Sequence, residues 1–536
     1  GNGGTVVLGT QRLTVGLNNL TSTFNGSLSG SGELRKDGEE SFTLGTSGIT
    51  AFTGSIDLAT NGFALSSADE ANDVFGGTIT GAGNLTKSGA GTLVLTGNNT
   101  YTGGTILADG ILKVGSANAI NSTGPLTFTG GTLQYGSTNQ TDYSDRFSAV
   151  DNQAFSIDTN GQTVTFASSL ISAGGSLTKK GSGTLTLVNN NKHSGGTFLE
   201  GGTLIVGDNN ALDDGSVTMA GGTTLSSNDN SRRLDNTIIV NGDVSFGGSD
   251  LELAGAVDLG GGTRSLSIAN SVTEMSGVIS NGGLTKSGTG TLILEGNNTY
   301  TGGTTISDGT LRISKGTALT DTGAVTVQGG TLDLRSNATV GTVHLVSGNI
   351  TGSDDTLTSN SAFNVGDTLV QAGVLRLGAA GALSPNTTLN VSPGAKFEAN
   401  GHAAAFAQLN GTGDIDVGTG GLTVSPNSGT NTFAGRLIGV GGLIKNGAGT
   451  LELSGTHTFT AGSAFRVNDG GILSGSGTLG SLTIASGGTL APGNSPGTLN
   501  AGDTVWDSGG NFNFEIDNAT GSSGSNWDLL AISGTL

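Results

Sequence analysis

Lys36, Lys87, Lys179, Lys286 and Lys445 are half of the ten lysines in a chain of 536 residues, and each stands two places after a leucine: Leu34, Leu85, Leu177, Leu284 and Leu443. A row of ammonium groups at one repeated position offers a docking surface to an acidic polysaccharide or another acidic rod. The plainer reading sets each lysine beside a β-turn, where its stem covers apolar surface and its charge keeps strand edges from pairing. Because the copies lie tens of residues apart and do not build one dense patch, the plainer reading is carried forward.

Other chemistry-bearing residues assemble into less. Asp213-Asp214, Asp354-Asp355, Asp109 and Asp308 are candidate calcium ligands, since Ca²⁺ takes six to eight oxygens. The G-G-x-G-x-D nonapeptide of calcium-binding rolls is missing, so these acids, like Asn98, Asn297, Thr100 and Thr299, read as turn formers or members of stacked polar ladders. Matches to N-x-T at Asn98, Asn121 and Asn297 follow from the abundance of Asn and Thr. Gly493-Asn494-Ser495-Pro496-Gly497 has the outline of a nucleophile elbow, but the residue after its serine is Pro496, which lacks the N–H that an oxyanion hole needs. His193, His344, His402 and His457 are far apart and give neither a metal cluster nor a triad. Arg232-Arg233 near Asp229 and Asp235 is the dense mixed-charge cluster a polysaccharide-active enzyme would use, and it reads as a solvated loop. Aromatic residues number 25, of which 19 are Phe; that suits a core better than a sugar platform. Tyr101, Tyr135, Tyr143 and Tyr300 are dispersed, while Trp506 and Trp527 are expected to close one end of the fold or, in the alternative, to join copies end to end. No catalytic, cofactor or metal residue is assigned, and structural calcium stays a minor alternative.

The elements that position these residues come from a repeat. GNLTKSGAGTLVLTGNNTYTGGTILADGILKV, Gly83 to Val114, returns as GGLTKSGTGTLILEGNNTYTGGTTISDGTLRI between Gly282 and Ile313. Weaker copies run from Ser176 to Val206, from Gly442 to Ser463 and from Glu33 to Leu44. Their irregular spacing excludes propeller blades of fixed length and suits a solenoid with variable coils between signatures. With 99 Gly, 6 Pro and no triplet period the chain is not collagen, and its regular apolar landmarks argue against disorder. Runs such as Thr92-Leu93-Val94-Leu95, Thr105-Ile106-Leu107 and Ile111-Leu112-Lys113-Val114 are short β segments between Gly, Asn, Asp and Ser clusters. They predict an all-β parallel β-helix of about three strands per coil. Roughly 20 to 25 residues per coil and a coil spacing near 4.8 Å give about 22 to 26 coils and a rod on the order of 100 to 125 Å. Gly103-Gly104 and Gly302-Gly303 are expected to turn corners with positive φ.

The signature Leu85, Lys87, Gly91, Tyr101, Gly103 and Gly104 recurs as Leu284, Lys286, Gly290, Tyr300, Gly302 and Gly303. It recurs in part as Leu177 and Lys179, with His193 at the Tyr position, and as Leu443 and Lys445, with Ala461 for the first Gly of the pair. This pattern resembles the passenger-associated transport repeat, the autotransporter-associated β-strand repeat of bacterial secreted proteins. GGTLAPGNSPGTL, Gly487 to Leu499, and the closing SNWDLLAISGTL resemble the C-terminal part of such passengers. The resemblance implies a right-handed parallel β-helix, export, and display on or release from a Gram-negative surface. It implies no single activity, because one stalk serves different tips.

The remaining composition agrees with that location. At 41 acidic to 21 basic residues the net charge is −20, so nucleic acid and anionic lipid are poor partners. There is no Cys, and an unfolded chain crossing an envelope gains from having no disulfide to trap it. No run of about 18 apolar residues exists, so no membrane insertion is expected within the chain. Gly1-Asn2-Gly3-Gly4 reads as a processed or truncated start, and Thr535-Leu536 stops in mid-pattern, which places any anchor outside. The expected organisation is a β-helix over 1–490 and a strand-rich C-terminal cap over 491–536. The expected role is a non-catalytic extracellular or surface rod, stalk and adhesin, whose partners are other surface proteins, glycans or copies of itself. An extracellular filament or matrix protein is the alternative, and a polysaccharide-active enzyme the more remote one.

Overall fold

The computed structural model describes residues 3–49, 51–68, 71–120, 123–320, 323–352, 356–359, 363–365, 367–370, 374–377, 385–455, 457–459, 464–493 and 496–536. Gly1, Asn2, Asn121, the Asp354-Asp355 pair, Ala461, and Asn494 and Ser495 of the elbow-like motif lie outside them. The protein is an all-β parallel solenoid. It comprises two compact units, Gly1–Asp258 and Leu259–Leu536.

In the first unit Phe63–Ser66, Leu85–Ser88, Thr105–Leu107 and Leu126–Phe128 pair side by side, with Phe63, Leu85, Thr105 and Leu126 in register. A coil therefore takes 20 to 22 residues. A second wall repeats the rule, with Asn72, Thr92, Ile111 and Thr132 in register. Each strand buries alternate residues, as in Thr92–Leu95 where Leu93 and Leu95 point in. Because this pairing is in register, inward residues of successive coils form columns: Leu93, Leu112 and Leu133 in one, Leu95, Val114 and Tyr135 in the next. Burying a Leu or Val in this way is worth about 1.5–3 kcal/mol. Phenylalanines also pack edge to face inside the coils, Phe128 against Phe155 at 5.5 Å and Phe147 against Phe166 at 5.2 Å between ring centroids.

The second unit follows the same construction. Thr291, Thr310 and Thr331 are in register, which places Leu292, Leu311 and Leu332 in one inward column. Farther along, Thr430–Phe433, Thr450–Leu453, Ile472–Gly475 and Thr489–Pro492 stack in turn. The C-terminal stretch pairs Thr498–Ala501 with Leu529–Ile532. There Trp506, Phe512 and Phe514 form a run of rings 5.8 and 5.9 Å apart, with Phe512 and Phe514 exposed and Trp506 and Trp527 half-buried.

The glycine pairs behave differently from expectation. Of Gly103, Gly104, Gly302 and Gly303, only Gly303 has a positive φ, at 80°. Gly103 and Gly302 answer instead to the closeness of neighbouring coils: a Cβ on Gly103 would strike the carbonyl oxygen of Gly83, and one on Gly302 would sit 2.8 Å from the Gly283 Cα. Gly91 and Gly290 are confined in the same way by the carbonyls of Ala68 and Asn270.

Candidate functional site

Strand alternation decides what the signature does. Leu85 points inward, so Lys87, two residues on, points inward too. All five signature lysines are fully buried, which overturns both surface readings of them. Lys87 Nζ donates to the carbonyls of Ser88 and Gly89 at 2.8 and 2.6 Å, closing its own corner, and to Asp109 of the next coil at 3.0 Å. Lys286 does the same with Ser287, Gly288 and Asp308 at 2.9, 2.6 and 3.0 Å. Lys179 reaches Lys180, Gly181 and Gly201, and Lys445 reaches Asn446 and Gly447. Lys36 bonds Asp37, Gly38, Asn61 and the Thr60 hydroxyl. The first carbonyl of the corner, as at Ser88 and Lys180, also accepts a backbone N–H from the preceding coil, and the ammonium, with three donors, adds bonds to it and to the carbonyls that follow. Burial pulls Lys87, Lys179, Lys286 and Lys445 down to about 8, and lowers Lys36 as well. At neutral pH Lys87, Lys179 and Lys286 are charged pins between coils, while the bonds of Lys445 close its own corner.

A second inward set was missed by sequence reasoning. The ladder residues are Asn99 and Asn298, not their exposed neighbours Asn98, Thr100, Asn297 and Thr299. Asn99 Oδ1 accepts from the Ile79 N–H at 2.8 Å and Asn298 Oδ1 from Ile279 at 2.7 Å, while the amide groups donate onward to Ala119 and Ala318. Asn191 bridges Leu170 and Ala211 identically. Each Asn thus joins three successive coils. His457 takes this place in its own copy, its Nδ1 accepting from Leu437 at 3.4 Å.

The inward aromatic completes the signature. Tyr101 and Tyr300 are buried, each with its hydroxyl 2.6 Å from a threonine four residues on, Thr105 and Thr304. His193 substitutes with Nε2 3.0 Å from Thr197 Oγ1, but its Nδ1 has no partner, and burial pulls it down to about 4. Tyr135 and Tyr143 are buried as well.

Outward positions carry different chemistry. Charges there pair across coils: Arg312 with Asp333 at 2.8 Å, Arg376 with Glu398 at 2.6 Å and Arg436 with Asp414 at 2.6 Å. Arg232 and Arg233 stand on the strand Arg232–Leu234, not in a loop, and Arg233 is taken up by Asp235 and Glu252. Asp109 and Asp308 accept the N–H of the following glycine at 2.8 and 2.7 Å, a turn function. Asp213 turns its corner at φ 51°. Among the described residues no three His, Asp or Glu converge as metal ligands. His344 and His402 are half-buried and separate. Two shallow cavities of about 360 and 370 Å³ lie in the second unit, and Thr299 and Thr301 line both.

Sequence comparison matches the passenger-associated-transport-repeat at residues 85–114, 177–206 and 284–313, the segments that hold the caged Lys87, Lys179 and Lys286. A stretch of 182 residues is 31% identical to the Adhesin BmaC autotransporter of Brucella suis biovar 1 (strain 1330), covering 31% of this chain and 5% of that protein. The chain carries three passenger-associated-transport repeats and is similar in part to autotransporter proteins. A stretch of 102 residues is 34% identical to an extracellular serine protease of Serratia marcescens, covering 16% of this chain and 10% of that one. The chain thus matches only a small fraction of the length of either relative. No solved structure gives a match. The chain belongs at the cell surface or outside the cell. No helix among its described residues is long and apolar enough to cross a membrane.

Proposed function

We propose that this chain is an autotransporter passenger with a non-catalytic structural and adhesive role, a stalk whose outward faces meet surface proteins, glycans or other copies of the chain. One observation carries the reading. The reactive members of the signature all turn inward, Lys and Asn tying corners and successive coils and Tyr or His bonding a threonine of its own coil, while outward arginines such as Arg312, Arg376 and Arg436 pair with acids. What faces solvent is rich in Thr, Ser and Asn, suited to contact and not to bond-breaking. The similarity to an adhesin supports the same reading.

The test is adhesion against turnover. Beads coated with the purified chain should adhere to mucin or epithelial cells above an albumin control, while the chain cleaves neither labelled casein nor neutral or acidic polysaccharides. Turnover that survives purification and is lost on Arg233→Ala or Asp229→Ala would sink the proposal in favour of an enzyme, and absence of adhesion to any surface would remove the adhesive part.

A further inference from the structure

The corner Asn297–Gly302 carries residues that the fold does not consume. Asn298 and Tyr300 point in and are fully engaged. Asn297, Thr299 and Thr301 point out into solvent. Thr299 and Thr301 form a ridge between the two cavities, with Thr263 and Asn281 on one side and Thr317 and Thr320 on the other. Volumes of about 360 and 370 Å³ fall at the small end of ligand sites, which run from about 300 to 1,000 Å³, and suit a monosaccharide or disaccharide. Neither cavity is lined by a charged side chain. Thr317 Oγ1 donates to Asn297 Oδ1 at 2.5 Å, which leaves the Asn297 Nδ2 as a donor to a ligand. The first unit presents the same outward triplet, Asn98, Thr100 and Thr102, beside its own inward Asn99 and Tyr101.

We propose that the corner bearing Asn297, Thr299 and Thr301 binds neutral hexose residues of a glycan, and that Asn98, Thr100 and Thr102 form a second such corner. The proposal rests on the adhesive reading above. A neutral sugar presents hydroxyls that both donate and accept; threonine hydroxyls and an asparagine amide match that dual need, while the Arg264 guanidinium beside Gly262 is turned to the carbonyls of Leu259 and Gly260 and does not line either cavity. The net charge of −20 further disfavours acidic glycans. Tyr300 is sealed beneath the cavity floor with its hydroxyl turned to Thr304, so recognition runs through hydrogen bonds without ring stacking. Affinity for one oligosaccharide is accordingly weak, on the order of 1 mM.

The experiment is saturation-transfer NMR on the whole chain with maltotetraose, cellotetraose and mannotetraose, and with trigalacturonate as the acidic control. At least one neutral probe should bind, the acidic one should not, and Thr100→Val/Thr102→Val/Thr299→Val/Thr301→Val should weaken binding about tenfold or more, since one hydrogen bond is worth about fivefold. These outward isosteric changes leave the core untouched; should circular dichroism nonetheless change, Asn98→Ala/Asn297→Ala replaces them. No binding of any neutral probe, equal binding of trigalacturonate, or unaltered binding by the folded variant overturns the proposal. Adhesion of coated beads is scored alongside. Beads that still adhere while the sugar result is negative remove the corner site alone, and beads that do not adhere remove the adhesive reading with it.

Discussion

Replacing Lys286 with Met tests whether the caged ammonium holds coils together. Methionine keeps most of the buried stem and removes the three donors, so the carbonyls of Ser287, Gly288 and Asp308 lose bonds of 2.9, 2.6 and 3.0 Å. A hydrogen bond to a charged group is worth about 1.5–3 kcal/mol, and a buried carbonyl left unpaired adds about 1–3 kcal/mol. Against this stands the burial that depresses Lys286 to about 8, a cost the variant escapes. The balance is a local loss of about 2–4 kcal/mol. In a solenoid each coil touches only its neighbours, so the loss stays near the corner. Hydrogen exchange followed by mass spectrometry at pH 7 should show peptides across 280–315 exchanging roughly 30- to 1,000-fold faster, with peptides in the first unit unchanged. Lys113→Met, at a half-exposed outward position, should alter exchange by less than the equivalent of about 0.5 kcal/mol. The pH dependence has a definite sign. A folded pKa near 8 against about 10.5 unfolded means that the unfolded chain binds more protons between those values, so the native protein gains stability over that range. The urea midpoint difference between native protein and K286M should therefore widen from pH 8 to 10.5. Exchange in K286M no faster than in the native protein, or acceleration spread evenly over both units, refutes the cage.

Three further outcomes follow from the same geometry. Asn298→Ala should cost about 2–4 kcal/mol in local stability, read by exchange at Ile279 and Ala318, because it strands a buried N–H and a carbonyl; Asn297→Ala should cost almost nothing. Burial holds His193 near 4 while an unfolded histidine titrates near 6.5, so the unfolded chain takes up a proton first and stability around residues 190–200 falls as pH drops from 6.5 to 4. His193→Tyr, which restores the hydroxyl to threonine contact of the other copies, should flatten that dependence in exchange measured from pH 7 to 4. Gly103→Ala should lower the thermal midpoint by the equivalent of about 1–3 kcal/mol, since its Cβ meets the Gly83 carbonyl, whereas Gly76→Ala, with a Thr96 hydroxyl at 3.3 Å as its nearest neighbour, should be milder.

The coil, the parallel pairing and the inward Leu columns were legible in the sequence because each depends on the pattern of short β segments repeated along the chain, and periodicity reports that directly. The lysines were legible too, through a rule that was outweighed. If Leu85 faces in, period-two alternation sends Lys87 in with it, yet the general tendency of lysine to be exposed prevailed in the reading. The shift from Asn98 to Asn99 has the same origin: counting back by twos from the buried Tyr101 selects Asn99. The glycines were not legible in this way. Whether Gly103 is glycine for its φ or for the carbonyl pressing on it depends on how the coil before it is seated, and no local spacing encodes that. The cavities beside Thr299 likewise exist only once successive corners are stacked.

The cage explains how a chain with no cysteine and 12% charged residues can afford so many tight corners. A corner carbonyl turned from the ladder must find a donor, and the backbone of the next coil is already committed to its own strand bonds. Lysine answers from inside: its stem adds to the apolar column between Leu65 and Leu107, while its head reaches the corner of its own coil and the start of the next. Arginine is too broad for the closed corner, and glutamine brings two donors together with an acceptor that would face carbonyls. Since the cohesive chemistry lies inside, an outward residue such as Thr299 can change without loosening the coil. A solenoid built this way can vary its contact surface while its interior stays fixed, and this separation makes the outward Asn and Thr triplets the informative place to look for recognition.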